Sequence, residues 1–411
     1  MTTTRPQRVQ RSNAPVPPGV DAEATKRSGG ATAIVVVQRV FGAQTSNFFL
    51  LLGTTLFLLA FGLVMVLSSS SVEDGASAGH DFFSSFARQG LYALIGVPLL
   101  LIASRMPIGF WKKWAWPAVV GTSILQLLVF APGLSYAFQG NQNWIRIGSF
   151  TAQPSELVKL ALILWISWIL ARKRSLLDDW KHVFLPIAPV AGVTIGLVLV
   201  GHDLGTAIIM GMIVLGCLFY AGVRLRIIGV GMVVAGGIAL LFTQVGSSRT
   251  SRISAWMEGC TAKGDYRGDC WQTIHAWWGI ASGGIFGSGL GESKVKWSWL
   301  PEADNDFIFA IIGDELGLIG AALVLVLFVV LAIAFIRIIR ASSDPFAKVV
   351  TGGVMVWLVG EAFVNIAVVL GFLPVLGVPL PLISAGGSSL IASLVAIGVV
   401  LSFARQKPVR E

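Results

Sequence analysis

Long apolar runs recur along this 411-residue chain, separated by short polar breaks. A run of roughly 20 such residues crosses the hydrocarbon core of a bilayer as a helix. By that measure about ten spans are expected, centred near Leu58, Ile95, Ile124, Ile163, Val193, Val214, Gly236, Leu323, Trp357 and Val395. Leu, Val, Ile and Ala surround these helices on every side, so no amphipathic soluble domain of any size is expected. The pattern predicts an all-α polytopic membrane protein.

Lys and Arg set the orientation, because they stay preferentially in the short cytoplasmic loops. Every second connection carries them: Arg105, Lys112 and Lys113; Arg172, Lys173, Arg174 and Lys181; Arg224 and Arg226; Arg337, Arg340 and Lys348; Arg405, Lys407 and Arg410. Both termini are then cytoplasmic. The long connection from Gly246 to Asn305, between the seventh and eighth spans, also holds basic residues, but long translocated loops are exempt from the rule. Residues 1–45 are rich in Pro, Thr, Ser and Arg without helical periodicity, and are expected to be a disordered basic tail. The tail is long and polar and shows no cleavage site, so the first span is expected to act as its own insertion signal. Residues 46–405 form the transmembrane domain, with 246–305 as its large outer loop, and 406–411 a second cytoplasmic tail.

Composition agrees with this class: 55% of residues are hydrophobic and 12% charged. Much of the +9 formal charge lies in the tail and inner loops, where it faces anionic lipid. Nothing in the chain suggests a partner of nucleic acid. Three cysteines are too few for a metal framework. Cys217 sits in an apolar span. Cys260 and Cys270 share the outer loop, where oxidation is permitted, and are a disulfide candidate beside the alternative of two free thiols.

Candidate chemistry begins where charge meets apolar helix. In Trp299-Leu-Pro-Glu-Ala-Asp-Asn-Asp-Phe-Ile-Phe-Ala310 acidic residues crowd before a long apolar stretch, which puts Asp306 at a membrane surface. A carboxylate there is either solvated, paired or functional. The alternative is that Asp304, Asn305 and Asp306 cap the helix. Glu156 and Lys159 share a helix face at i and i+3, and inside a bilayer each is the natural partner of the other. Asp203 and the Glu361/Asn365 pair are further polar groups within apolar surroundings. Arg146, Arg252, Lys263, Arg267, Lys294 and Lys296 supply outward-facing cations, a set suited to a lipid-linked phosphate or diphosphate. Gly287-Ser-Gly-Leu-Gly-Glu-Ser-Lys294 looks like a phosphate loop, but no strand precedes it and no helix opens at its lysine.

Several motifs in fixed order then converge on a family. They are Gln153-Pro-Ser-Glu-x-x-Lys159, Asp203-Leu-Gly-Thr206, Gly283-Gly-x-x-Gly287, Ser293-x-x-Lys296 followed by Leu-Pro-Glu-x-x-x-Asp-Phe-Ile-Phe309, and Gly377-x-Pro-Leu-Pro-Leu-Ile-Ser-x-Gly-Gly-Ser388-Ser389. This set resembles the SEDS (shape, elongation, division and sporulation) proteins, and its Ser293/Lys296 spacing and Gly-Gly-Ser-Ser ending are similar to the cell-division branch. The resemblance implies a ten-span SEDS fold. It further implies a peptidoglycan glycosyltransferase that polymerises lipid II into septal glycan strands on the outer face of the bacterial cytoplasmic membrane, releasing undecaprenyl diphosphate. The expected partners are lipid II, the nascent glycan, a class B penicillin-binding transpeptidase, other membrane proteins of the division machinery and membrane lipid.

By the same resemblance Asp306 matches the essential aspartate, and Glu156 and Lys159 the intramembrane pair. Lys296, Arg146, Arg252, Gln272, Ser293, Ser384 and Ser388 are candidates for contacting substrate or its diphosphate. This sequence departs from the family pattern at Asn143, where a basic residue is usual, and at Asp304, where histidine is common. It departs also at His275 and Glu361, which replace glutamines, and at Pro379 in place of a threonine. Joining a hydroxyl to an anomeric carbon with diphosphate departing needs a base but no general acid, unlike glycoside hydrolysis with its two carboxyl groups. Asp306 fits that base, or alternatively a ligand to a divalent cation, Mg or Mn, on the diphosphate. Two rival classes remain: a lipid II flippase or other transporter using Glu156, Lys159, Asp203 and Glu361 as its pathway, and a noncatalytic division scaffold.

Overall fold

A computed structural model describes residues 45–76, 83–138, 141–148, 150–243, 247–260, 268, 270–296 and 300–405. The tails expected at 1–45 (but for Thr45) and 406–411, and the loop residues Lys263, Arg267, Trp297 and Trp299, lie outside the described residues. The first apolar runs fold as α1 (Ser46–Ala76), α2 (Ser84–Ala103) and α3 (Ile108–Leu127). After a small sheet come α4 (Pro154–Arg172), α5 (Trp180–Val200), α6 (Leu204–Tyr220) and α7 (Leu225–Thr243). The long connection contributes α8 (Ser247–Met257) and α9 (Trp271–Gly283), and then α10 (Ile308–Ala341) begins. A π turn at Val356–Gly360 joins α11 (Pro345–Met355) to α12 (Glu361–Val369), and α13 (Ser388–Ala404) closes the bundle.

Among the described residues seven helices are long and apolar enough to cross a membrane, and Leu204–Tyr220, Leu225–Ile238 and Ser388–Ala404 are shorter apolar helices. Each expected span centre falls within one of these. α4 runs through the middle of the bundle, buried continuously from Val158 to Ser167. Its all-round apolar surface is what such a position requires. Pro154 opens it where a missing N–H costs nothing. Glu156 in its first turn and Arg172 in its last both complement the helix dipole. α13 packs along α2 so closely that a Cβ at Gly398 would stand 2.5 Å from the Leu100 carbonyl oxygen, the small-residue contact by which helices associate in lipid.

Contacts between connections sort the helix ends into two groups. Arg224 donates to Asp178 at 2.7 Å, Lys112 pairs with Asp344 at 2.6 Å, Arg405 donates to the Ser104 carbonyl at 3.3 Å, and Thr45 to the Ala404 carbonyl at 2.9 Å. Connections bearing Lys and Arg thus meet one another. At the opposite ends Gln153 contacts Asp203 and Ser388, and the residues before α10 contact those before α13.

Two expectations need correction. The fold is not purely helical: β1 (Ser135–Phe138), β2 (Asn141–Ile147) and β3 (Phe150–Ala152) form an antiparallel sheet in that order, with Tyr136 opposite Trp144 and Ile145 opposite Ala152. Along β2 Asn143 and Ile145 are buried while Arg146 is exposed, the alternation of a strand. Nor does the apolar span begin directly after Asp306. α10 breaks at Gly317, which has φ 65° and ψ −163°. The residues from Ile308 to Glu315 are a buried helical stretch of their own, and the span runs from Gly317 to Ala341.

Candidate active site

Residues 301–307 form consecutive turns before α10, whose N-cap is Phe307 with no side-chain cap bond. The N-cap position thus belongs to Phe307 and not to Asp304, Asn305 or Asp306. Three successive carbonyls of the turn are held from three directions. Asp304 O accepts from the Ala385 N–H at 2.9 Å, Asn305 O from the Ser384 hydroxyl at 2.7 Å, and Asp306 O from the Asn365 amide at 2.7 Å. Ser384 in turn accepts from Leu380 N at 2.8 Å, and its carbonyl accepts from Gln89 at 2.9 Å. Asn365 also donates to the Val378 carbonyl at 2.7 Å. Buried backbone outside regular structure must find such partners, and in finding them it is fixed in place.

The Asp306 carboxyl is pushed up from 3.8 to about 7, first by burial and then by the negative charges of Glu302, Asp203 and Asp304, with Arg252 acting in the opposite sense. The helix N-terminus, which favours a carboxylate, does not prevail. Glu302, held at φ 57°, is itself raised by burial and by Asp304. Asp203 caps α6, accepting from the Thr206 N–H and hydroxyl, both at 2.8 Å, and takes a 3.1 Å bond from Gln153. Beside this acidic turn lies a cleft of about 280 Å³, lined on one side by Glu302, Asp304 and Asn305 and on the other by Arg88, Tyr92, Tyr136, Trp144 and Arg146. Arg146 stacks over the Tyr136 ring at 3.6 Å. The wall thus offers two cations, aromatic faces and carboxylates, a lining suited to a sugar carrying phosphate.

The intramembrane pair is a triad. Lys159 Nζ stands 2.9 Å from Glu156 and 3.2 Å from Glu361, all three buried, with the Trp357 ring 4.9 Å away. Asn365 lies one turn beyond Glu361 on α12, so the triad fixes the helix that holds the Asp306 carbonyl.

The remaining candidates divide. Arg146 lines the cleft, and the positive charge of Arg252 acts on Asp306. Lys296 does not face outward: it is 1% exposed, paired with Glu315 at 3.0 Å, and donates to the Ser68 carbonyl at 3.0 Å. Its buried charge needs that partner more than a solvent-facing anion. Ser384 is turned into the protein, on Asn305. Ser388 accepts from Gln153 N at 3.0 Å, joining α13 to α4. Ser293 is fully buried, and Gln272 is half-buried in the first turn of α9. Cys260 and Cys270 are disulfide-bonded, with Cα atoms 5.4 Å apart. Among the described residues no group of three His, Cys, Asp or Glu is arranged to hold a metal. Sequence reasoning missed Arg88, Tyr136 and Trp144. It named Glu361 and Asn365 without seeing that their i, i+4 spacing joins the triad to the turn.

The family model covering FtsW, RodA and SpoVE, described as cell cycle protein, matches residues 49–408. The chain belongs to this family. Among its relatives, the probable peptidoglycan glycosyltransferase FtsW of Geobacter sp. (strain M18) is 41% identical over 347 residues, covering 84% of this chain and 93% of the relative. The protein of the same description from Mycobacterium tuberculosis is 37% identical over 370 residues, covering 89% and 69%. Stage V sporulation protein E of Bacillus subtilis is 34% identical over 363 residues, covering 88% and 98%. The fold resembles the Thermus thermophilus rod shape determining protein RodA, with TM-score 0.64 at 24% identity over 89% of this chain and 98% of that one. A chain of a peptidoglycan synthase complex that coordinates polymerization and crosslinking gives 0.69 at 24% identity, over 86% and 96%.

Proposed function

We propose that this chain is a peptidoglycan glycosyltransferase of cell division, polymerising lipid II on the outer face of the bacterial cytoplasmic membrane at the septum. Ten spans with both termini cytoplasmic put the Asp306 turn and the cleft on that outer face, and a class B transpeptidase is the partner that crosslinks the product. The observation that carries the reading is Asp306, held rigidly by its backbone and raised to about 7 by burial among carboxylates, beside a cleft with two arginines. A general base works best with a pKa near the operating pH, and an ordinary aspartate at 3.8 is far below it.

In the reaction the Asp306 carboxylate takes the proton of the acceptor sugar hydroxyl as its oxygen bonds the anomeric carbon. The bond from that carbon to the diphosphate oxygen breaks, and the diphosphate leaves as an anion without needing a proton. Arg88 and Arg146 offset its charge in the cleft. Asp306 alone would serve as the single protein carboxylate of a Mg²⁺ or Mn²⁺ ion held otherwise by substrate oxygens, and a cation would relieve the repulsion at that residue. When bound it would supply further neutralisation of the diphosphate. Polymerisation of labelled lipid II by purified protein, with and without the transpeptidase, tests the reading. Asp306→Asn should remain folded and bind the transpeptidase yet make no glycan. Normal synthesis by a well-folded Asp306→Asn protein would overturn the assignment and favour the scaffold or transporter classes.

A further inference from the structure

Among the described residues, the segment between α9 and the acidic turn carries the most exposed large apolar side chain outside the spans. Phe286 is 82% exposed, with Ile285 at 60% and Leu290 at 57% beside it. Three bulky apolar groups exposed on one short loop are costly in water. They are contiguous with Leu318 and Ile319, 64% and 55% exposed, at the start of the span Gly317–Ala341. Backbone bonds make the contact direct: Leu318 N donates to Gly284 O and Ile319 N to Ile285 O, while Ser288 N and Gly289 N donate to Asp314 O and Glu315 O.

The polar groups of the segment turn away from that apolar face. Gly287 N bonds Gly283 O, Gly291 N bonds the Ser68 hydroxyl, and the Ser288 hydroxyl donates to Asp314 O. Non-helical backbone at lipid depth survives only when its polar atoms are satisfied by protein in this way. Two glycines make it possible. A Cβ at Gly287 would stand 2.1 Å from Glu315 O, one at Gly317 would stand 2.4 Å from Gly287 N, and both residues have φ in the left-handed region. On the far side Glu292 and Lys294 are exposed, and Trp277 on α9 is partly exposed, the residue type that sits at a membrane interface.

We infer that residues 284–291 are a membrane anchor, with Ile285, Phe286 and Leu290 inserted among the acyl chains of the leaflet beside Gly317. The occupant of this face is lipid rather than protein, because the patch continues a surface that a spanning helix already presents to lipid. The same segment leads through the buried Lys296–Glu315 pair to the Asp306 turn, so the anchor sets that turn's depth relative to the bilayer. The inference needs only that the span crosses the membrane, not that the chain is a polymerase.

The test uses the full chain in phosphatidylethanolamine/phosphatidylglycerol vesicles, without other proteins. Cys217 is buried and Cys260 is bonded to Cys270, so a nitroxide attached to Phe286→Cys or, separately, Leu290→Cys labels one site. Collision with oxygen, which concentrates in lipid, is compared with collision with a water-soluble nickel chelate, using Leu323→Cys and Lys294→Cys as lipid and water references. The anchor predicts oxygen access like that of position 323 and at least several-fold less nickel access than position 294. Nickel access equal to that at 294 would place the segment in water and overturn the inference. Protection from both reagents would show it covered by a second copy, and would overturn it equally. Both substituted positions are exposed, so folding should be kept, and thermal unfolding checks this on the same samples.

Discussion

Replacing Asp306 by asparagine should stabilise the protein while abolishing its chemistry, and only above a defined pH. The side chain keeps its size, and the pinned carbonyl is untouched. What is lost is the cost of ionising a carboxyl surrounded by burial, Glu302, Asp203 and Asp304. From 3.8 to about 7, at roughly 1.4 kcal/mol per pH unit, that cost is about 4 kcal/mol at full ionisation. It is an upper bound, because Asp306 is only half-buried, so solvent screens part of the repulsion, and because neighbouring groups titrate with it. The sign follows from proton binding: with its pKa raised in the fold, the native state holds the proton more tightly than the unfolded state between these values. The native chain therefore loses stability as pH rises from about 4 to 7 and reaches a floor beyond. The asparagine variant carries no such loss. Thermal unfolding of both proteins from pH 5 to 8.5 should show the variant ahead at pH 8 and the gap closing progressively below 7. A variant that is less stable at pH 8, or a gap that does not change with pH, would refute the electrostatic account of this site.

The same group should set the acid limb of polymerisation, which is expected to rise through pH about 7 in steady-state assays; Arg252→Gln removes an opposing positive charge and should move that limb to higher pH. Lys159→Met leaves Glu156 and Glu361 buried without their cation and should cost about 3–5 kcal/mol, and adding Glu361→Gln should return part of the loss in a double-mutant unfolding cycle. Asn365→Ala strips two buried carbonyls of their donor, at about 1–3 kcal/mol. Because the Asp306 turn then shifts, turnover should fall by up to about 10²-fold with the pH profile unchanged, whereas a merely structural role would leave turnover per folded molecule intact.

Spans were legible because their signal is local: a run of apolar residues is sufficient, and each expected centre lies in an apolar helix. Glu156 and Lys159 were legible for the same reason, being one helical turn apart. Glu361 as their third member was not, since 202 residues separate it from Lys159 and nothing nearby in sequence marks the contact. Asp306 stood out by its charge beside an apolar stretch, but its surroundings did not: Asp203, Arg252 and Gly377 converge on it from distant segments. Lys296 misled because a lysine beside aromatic residues in an outer loop reads as exposed, while its partner Glu315 lies beyond the turn, inside α10. The β1–β3 sheet was hidden because one buried position of β2 is the polar Asn143 and the apolar Trp144 and Ile145 are consecutive, so no strict apolar–polar alternation marks the strand.

The carbonyls of the Asp306 turn also impose an order on biogenesis. Asn305 is held by Ser384, 79 residues later, and Asp306 by Asn365, 59 residues later. When Asp306 leaves the ribosome, neither clamp has been synthesised. The Asp306 turn can set only after α12 and the proline-containing segment before α13 have been made, so a chain stalled or truncated before that point lacks these clamps however many helices it has already inserted. A copy that stops short of Ser384 therefore lacks at least one clamp on this turn, and the late segments that supply the clamps act as a check that synthesis has reached them.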